Sequence, residues 1–377
     1  MLNMKFAESL RKNKDEIKGI IKHAYPDFVF KEINELEKGD IPVFHFHDLN
    51  AEKFEEQLKY LYENHYKTID ASTLMHILIG DIKPIDKAVV LTFDDGLRSI
   101  WEVAFPLLEK YGFKGVSFII PGLINNQGSD TSFSEIPSLC TWPEIVEMHK
   151  SGFLDFQSHS LNHGTVFISD KVVDFINPLF KPNFAFNSYN PLSSKDLNIK
   201  LREDIKWGLP IYESDSNLLA EKNYIQNEIV DKTCTKFVED NGGEDFFKRK
   251  GWRKKLVKIY KSTKSKFEEE QLYRSKKDRL DEIVNDLSLS KKEIELKLGK
   301  NVEHLCFPWY KASSDTVNLA KEIGYRSCYW GIVENESINK VGGNPFYIKR
   351  INSNYIFSLP GKKRKSMFKI LREKWLG

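Results

Sequence analysis

The stretch Val89-Val90-Leu91-Thr92-Phe93-Asp94-Asp95-Gly96 decides the fold. Its first five residues, Val89 to Phe93, are apolar or β-branched without interruption, the pattern of a parallel strand buried on both faces. Two carboxylates follow at the C-terminal end of that strand, where α/β folds place ligands and catalytic chemistry. Adjacent carboxylates repel, so a structural role is awkward unless a cation or a proton lies between them. A second stretch supplies further ligands for such a cation. The strand-like run Leu154 to Gln157 leads into His159-Ser160-Leu161-Asn162-His163. If Leu161 to Gly164 opens a helical turn, the two imidazoles face the same point. One carboxylate and two histidines with open positions make a catalytic rather than a closed structural metal site. Taken singly, Asp-Asp-Gly also reads as a turn and the histidine pair as solvent-facing.

Outward from this strand the chain alternates. Before it, Pro42 to His47 reads as a strand, Ala51 to Asn64 as a helix, Tyr66 to Ile69 as a strand and Leu74 to Ile79 as a short helix. After it come a helix over Ser99 to Tyr111, a strand over Gly115 to Ile120, a helix over Pro143 to Lys150 and the strand into His159. Helix-period segments alternating with apolar runs argue for parallel β/α units. From 166 to 299 the alternation breaks. Asn177-Pro178, Lys181-Pro182 and Asn190-Pro191 mark a turn-rich stretch, and Lys222 to Gly299 is helical and highly charged. Strand-like runs resume at Glu303 to Phe307, Arg326 to Trp330 and Phe346 to Ile351.

The expected organisation is therefore an α/β domain split into 39–165 and 300–353. It is preceded by a polar helical lead over 1–38, with a rough stripe of Phe6, Leu10, Ile17 and Ile21. The 166–299 segment reads as a large, mainly helical insertion on the functional face, since it leaves directly after His163. Surface insertions beside a site usually set substrate shape. A basic amphipathic tail over 354–377 ends the chain.

With 377 residues the chain can bury a substantial core, and its formal charge of +3 is too small to imply a nucleic-acid partner. The charge is unevenly spread: Lys248 to Lys266 holds ten basic residues and no acidic one, and Lys362-Lys363-Arg364-Lys365 opens a second cluster. Trp252, Leu256, Val257, Ile259 and Tyr260 have the spacing of an amphipathic helix, as do Met367, Phe368, Ile370, Leu371 and Trp375. Solvated helices are the plain reading. The sharper one is peripheral contact with an anionic membrane surface, which flotation with anionic liposomes at low salt tests. Four cysteines, at 140, 234, 306 and 328, form no C-x-x-C pair and fit a reducing compartment. The first residues lack the apolar run of a signal peptide, and no segment approaches the roughly 20 apolar residues of a membrane span. The expectation is a cytoplasmic protein.

Thr92-Phe93-Asp94-Asp95-Gly96 followed by His159-Ser160-Leu161-Asn162-His163 resembles the polysaccharide deacetylase family, carbohydrate esterase family 4. The approach is similar too: IPVFHFHD over Ile41 to Asp48, then FEEQLKYLYENHYKTID over Phe54 to Asp70. The resemblance covers roughly 40–165 and 300–353 and implies an irregular (β/α) barrel. It implies a metal-dependent hydrolase removing an N-acetyl or N-formyl group from an amino sugar in a glycan or lipid-linked glycan precursor. Asp95, His159 and His163 would bind a divalent metal and Asp94 would be the general base. Zinc is the default, although a two-histidine, one-carboxylate set also suits iron, cobalt or nickel. Such an ion lowers the pKa of a bound water and polarises an amide carbonyl. Many members of the family are exported, unlike the cytoplasmic expectation here.

This chain departs from the family at two places. Many members carry an R-x-P-Y motif whose Arg orients the catalytic Asp, and the matching segment here is Cys306-Phe307-Pro308-Trp309. Pro308 and Trp309 keep the shape of a groove wall on the substrate side, with Trp309 either stacking on a sugar, supplying a backbone donor or packing as a core aromatic. Arg350, in Tyr347-Ile348-Lys349-Arg350-Ile351-Asn352, resembles the R-I segment of members lacking R-x-P-Y and is the candidate replacement, grouped with them on the substrate side. Many members also place a catalytic-acid His late in the chain, whereas no histidine follows His304 here. His47 matches the Y-H position of the N-terminal approach and lies at a strand end. It reads either as the general acid or as a hydrogen-bonding histidine at the rim. The competing functions are a metal-dependent amidase or esterase on a non-carbohydrate substrate, and a carbohydrate-binding pseudoenzyme.

Overall fold

The computed structural model describes residues 14–124, 138–179, 206–266, 273–332 and 338–376. Phe6, Leu10, Lys181-Pro182 and Asn190-Pro191 lie outside the described residues. Strand β1 (Val43–Phe46) pairs in parallel with β3 (Ala88–Asp95), which also carries the short β2 (Lys67–Thr68). β3 continues into β4 (Gly115–Ile119) and β5 (Leu154–Ser158), all parallel. A hairpin of β6 (Thr165–Phe175) and β7 (Pro210–Ser216) stands apart as an antiparallel sheet. β8 (His304–Cys306), β9 (Ser327–Tyr329) and β10 (Ile351–Asn352) complete the parallel set. Ile348 bridges Tyr329 of β9, and Ile351 pairs with Phe44 of β1. The segment 348–352 thus closes the curled sheet on itself.

Closure explains the uninterrupted apolar runs. Val43, Val90, Val116, Phe118, Cys306, Tyr329 and Ile348 pack together inside the barrel. Their neighbours of opposite parity, Phe44, Phe46, Leu91, Phe93 and Phe156, point outward into a second core beneath the helices. That outer layer contains α2 (Ala51–Glu63), α4 (Phe105–Tyr111) and α5 (Trp142–Lys150), whereas α3 (Ala71–Leu78) packs Ala71, Leu74, Ile77 and Leu78 against the inner cluster. Three of these start with a side-chain cap: Asn50 caps α2, Asp70 caps α3 and a Thr141–Glu144 capping box starts α5. The N-terminal helix α1 (Lys14–Ile21) precedes the barrel.

The segment after His163 divides in two. The β6–β7 hairpin, α6 (Glu228–Asp240) and α7 (Trp252–Lys264) share their own small core around Phe167, Tyr212, Val238 and Leu256. Helix α8 (Lys276–Leu298) instead packs on the barrel, with Ile283, Leu287 and Ile294 in the outer core beside Leu154 and Leu305. Ser290 and Ser158 share a hydroxyl contact of 2.8 Å, and Tyr325 donates to the Leu287 carbonyl at 3.0 Å. Residues 276–298 therefore form the crossover helix between β5 and β8 rather than part of an added unit. Helix α9 (Ser314–Ile323) leads into β9, and α10 (Met367–Leu376) follows β10. No helix among the described residues is long and apolar enough to cross a membrane.

One late strand is shorter than the sequence suggests. Within Phe346 to Ile351, Pro345–Tyr347 form a 3-10 turn capped by the Asn344 side chain, and regular pairing is confined to Ile348 and β10. Proline just before this segment fixes a turn geometry that apolar content alone does not reveal.

Candidate active site

At the C-terminal end of β3 the chain turns sharply, with Asp95 at φ +73° and Gly96 at φ +76°. Strand alternation sends Thr92 and Asp94 into the barrel, while the left-handed turn swings Asp95 across toward the end of β5. There Asp95 Oδ1 lies 3.4 Å from His159 Nε2 and 3.7 Å from His163 Nε2, all three residues being buried. The histidines do not converge through a helical turn, contrary to the spacing argument. Residues 161–164 are irregular, with Ser160 at φ +64° and His163 at φ +50°, and the His163 amide donates to Ser160 Oγ at 3.0 Å. Ser160 offers the backbone a local partner that competes with helix.

These three donors suit a divalent cation. Asp95 Oδ1 is buried and has no hydrogen-bond partner among the described residues, which a cation would remedy. His159 Nδ1 faces the Cys306 carbonyl at 2.8 Å. A proton on that nitrogen leaves the Nε2 lone pair aimed at Asp95. Asp94, His159 and Cys306 also cluster closely, but Asp94 is committed elsewhere and burial pushes the Cys306 thiol up, keeping it neutral.

Asp94 faces Arg350, whose Nη1 and Nη2 donate to its two oxygens at 2.6 and 2.8 Å. Arg350 also donates to Thr92 Oγ1 at 3.0 Å, to the Trp330 carbonyl at 3.1 Å and to Cys306 Sγ at 2.9 Å. Burial pushes the Asp94 carboxyl up, but the charge and hydrogen bonds of Arg350, with the charges of His159 and His47, outweigh it. The carboxyl is held well below its usual range. Arg350 is 0% exposed, so its grouping on the substrate side is corrected: it orients Asp94 from within the barrel. The small Cys306 leaves room for the guanidinium to reach across from the β10 side.

Pro308 is likewise buried and carries the turn rather than a wall surface. Trp309 is half-buried, with its ring set edge-on against His163 at a centroid distance of 4.1 Å. His47 is 48% exposed at the rim, with Nε2 3.8 Å from Asp94 Oδ2. All eight residues singled out in the sequence thus lie in or immediately around one barrel mouth.

Two further contributors lie outside those eight. His45, one alternation below His47, meets the Tyr310 hydroxyl at 3.1 Å through Nδ1. Asp286, on α8, accepts from the Leu161 amide at 3.0 Å. The Gly122 amide holds the same loop by donating to the Leu161 carbonyl at 2.9 Å, and a Cβ on Gly122 would stand 2.5 Å from that oxygen. Asp286 therefore acts as a positioning residue for the loop bearing His159 and His163. Asp286→Ala is expected to weaken metal binding by about tenfold or more, as loss of outer supports does. Competition against a chromogenic chelator measures this, and wild-type affinity in a folded variant would leave Asp286 a packing role only.

The curled parallel sheet, with its aspartate and histidine side chains gathered at one mouth, has the fold of the polysaccharide-deacetylase-type (β/α) barrels. Residues 81–177 match the model of the polysaccharide deacetylase family. YxkH of Bacillus subtilis is 28% identical over 131 residues, covering 33% of this chain and 43% of that protein. The poly-beta-1,6-N-acetyl-D-glucosamine N-deacetylase of Staphylococcus aureus is 26% identical over 114 residues, covering 30% of this chain and 37% of its own length. The chain thus matches less than half the length of these relatives. Among solved structures, the de-N-acetylase of Aggregatibacter actinomycetemcomitans superposes with a TM-score of 0.53 at 18% identity, covering 83% of this chain and 95% of that one. The BpsB deacetylase domain of Bordetella bronchiseptica gives 0.53 at 15%, covering 84% and 98%. At these identities the two structures bear on the fold alone.

Proposed function

We propose that the protein is a metal-dependent N-deacetylase that removes an acetyl, or a formyl, group from an amino sugar within a glycan or lipid-linked glycan precursor. The observation that carries this reading is the pairing of two differently committed aspartates: Asp95 turned toward two histidines, and Asp94 locked by Arg350 beside them. Asp95, His159 and His163 would hold the ion, zinc by default. When bound, a divalent ion supplies Lewis acidity and lowers the pKa of a coordinated water.

The remaining chemistry falls to the chain's own side chains. Asp94 stays ionised because Arg350 offsets its burial, and its oxygens are fixed by two hydrogen bonds, so it is placed to take a proton from the attacking water. His47, beside Asp94 at the open rim, is placed to protonate the departing amine nitrogen. Trp309 walls the mouth next to His163 and gives the sugar an aromatic edge. The pseudoenzyme alternative draws on a missing arginine and a missing late histidine; in this reading Arg350 and His47 take those roles.

Elemental mass spectrometry on the native chain and on His163→Ala, both purified without added metal, tests the centre. About one equivalent is expected in the native protein and little in the variant. Acetate release is then assayed first on N-acetylglucosamine oligomers, the substrate named for the staphylococcal relative. No metal in either protein after zinc reconstitution would overturn the proposal.

A further inference from the structure

His47, 48% exposed at the barrel rim, stands 3.8 Å from Asp94 Oδ2, which is too far for a hydrogen bond to hold its ring. The ring is instead met edge-on by His45, with centroids 5.6 Å apart at 89°, and by Tyr310, at 6.5 Å and 90°. These two neighbours are joined to each other. The Tyr310 hydroxyl meets His45 Nδ1 at 3.1 Å, and their rings lie 5.2 Å apart. Alternation along β1 and the residue after it puts His45 and His47 on one face. Whatever fixes the lower ring therefore fixes the surface against which the upper one rests.

The chain holds Tyr310 there at a conformational cost. Trp309 and Tyr310 follow β8 at φ +51° and +59°. Consecutive left-handed non-glycine residues are strained and concentrate where geometry serves binding or catalysis. Gly331 leaves room for the Tyr310 ring, because a Cβ there would stand 2.8 Å from its Cγ, and the Arg350 guanidinium lies 5.3 Å from the ring centroid. Burial, then the charge of Arg350, holds the His45 imidazole well below its ordinary value. A neutral His45 can accept the hydroxyl's hydrogen bond at Nδ1 and adds no like charge beside His47.

We propose that Tyr310, acting through His45, is a positioning residue that fixes the His47 ring for proton delivery to the departing amine. The inference rests on the N-deacetylase reading, in which the C–N bond breaks, its electron pair passes to nitrogen and His47 supplies the proton. Tyr310→Phe keeps the ring and cuts the link to His45. In metal-loaded protein this change is expected to lower kcat for acetate release from N-acetylglucosamine oligomers about tenfold or more, with little change in KM. Hydrolysis of para-nitrophenyl acetate should change little, because its phenolate leaves without a proton. In a His47→Ala background the same change should cost nothing further, since its effect passes through His47. Isotope-labelled histidine gives a readout that needs no substrate. The His47 imidazole signal, assigned by its absence in His47→Ala, should shift or broaden in Tyr310→Phe while those of His159 and His163 hold. An unmoved His47 signal overturns the proposal. So does an equal loss on amide and ester, or a loss that persists beside His47→Ala, either of which would make Tyr310 a support of the fold or of the metal centre. Failure of the deacetylase reading is distinguishable. A moved His47 signal with no acetate from any N-acetylated sugar keeps the positioning and sinks N-deacetylation of these sugars. Acetate release that survives His47→Ala in full keeps the deacetylase and sinks the proton-delivery role.

Discussion

Asp94→Asn is expected to lower turnover by about 10²- to 10⁴-fold, the range for loss of a positioned general base, while metal stoichiometry stays near that of the native chain. The side chain keeps its shape and one oxygen toward Arg350 but can no longer accept a proton. Metal retention follows from the proposed ligand set of Asp95, His159 and His163, with Asp94 spending both oxygens on Arg350. His163→Ala should differ in kind, losing metal and turnover together. The two variants separate base from ligand when acetate release and metal content are measured on the same preparations. An Asp94→Asn protein retaining more than about a tenth of native activity would remove Asp94 from the base role.

The cluster of aspartate and histidines was legible because its signals are local. An apolar run that stops at two carboxylates, and two histidines just past a second strand, need only strand alternation to be read. Their meeting was read correctly, but by the wrong local route: the histidine loop turns through left-handed Ser160 and His163 rather than a helix. Arg350 illustrates what local reading leaves open. Motif resemblance pointed to it as an orienting group, yet only barrel closure between β9 and β1 brings it against Asp94. Helix α8 was hidden for a different reason. Its buried face, Ile283, Leu287, Ser290 and Ile294, has helical spacing, but its charged flanks match the helices before it and nothing local says which core it covers. Asp286 was invisible on the same ground, being one more acid on a charged helix until the loop it holds is in view.

Arg350→Met is expected to destabilise the chain by about 3–5 kcal/mol at neutral pH, the usual cost of stranding one partner of a buried ion pair. Methionine fills much of the volume but leaves the Asp94 carboxylate without its two donors and without the offset to its burial. The pH dependence then has a definite sign. In the native chain the Asp94 carboxyl is depressed, so the pair's stabilisation is present above the unfolded value of about 3.9 and is lost only as pH falls through the lower folded value. In the variant, burial, the largest influence, is opposed only by the charges of His159 and His47, so the folded value is expected to rise above the unfolded one. The burial penalty is full above that raised value and disappears as pH approaches about 4. Urea unfolding at two pH values therefore should show a gap between native and variant that narrows on acidification. Arg350→Met/Asp94→Asn, in which both charges are gone, should recover a large part of the loss at neutral pH. A gap independent of pH, with no recovery in the double variant, would mean that Arg350 supports the barrel through Thr92, Trp330 and its contact with Tyr310 rather than through the charge of Asp94. If the recovery occurs yet turnover stays lost in every variant, the ion pair is a tuned part of the reaction centre that the fold can do without. That result would fit an arginine reached through barrel closure in place of one at position 306, where Cys306 now leaves the space it occupies.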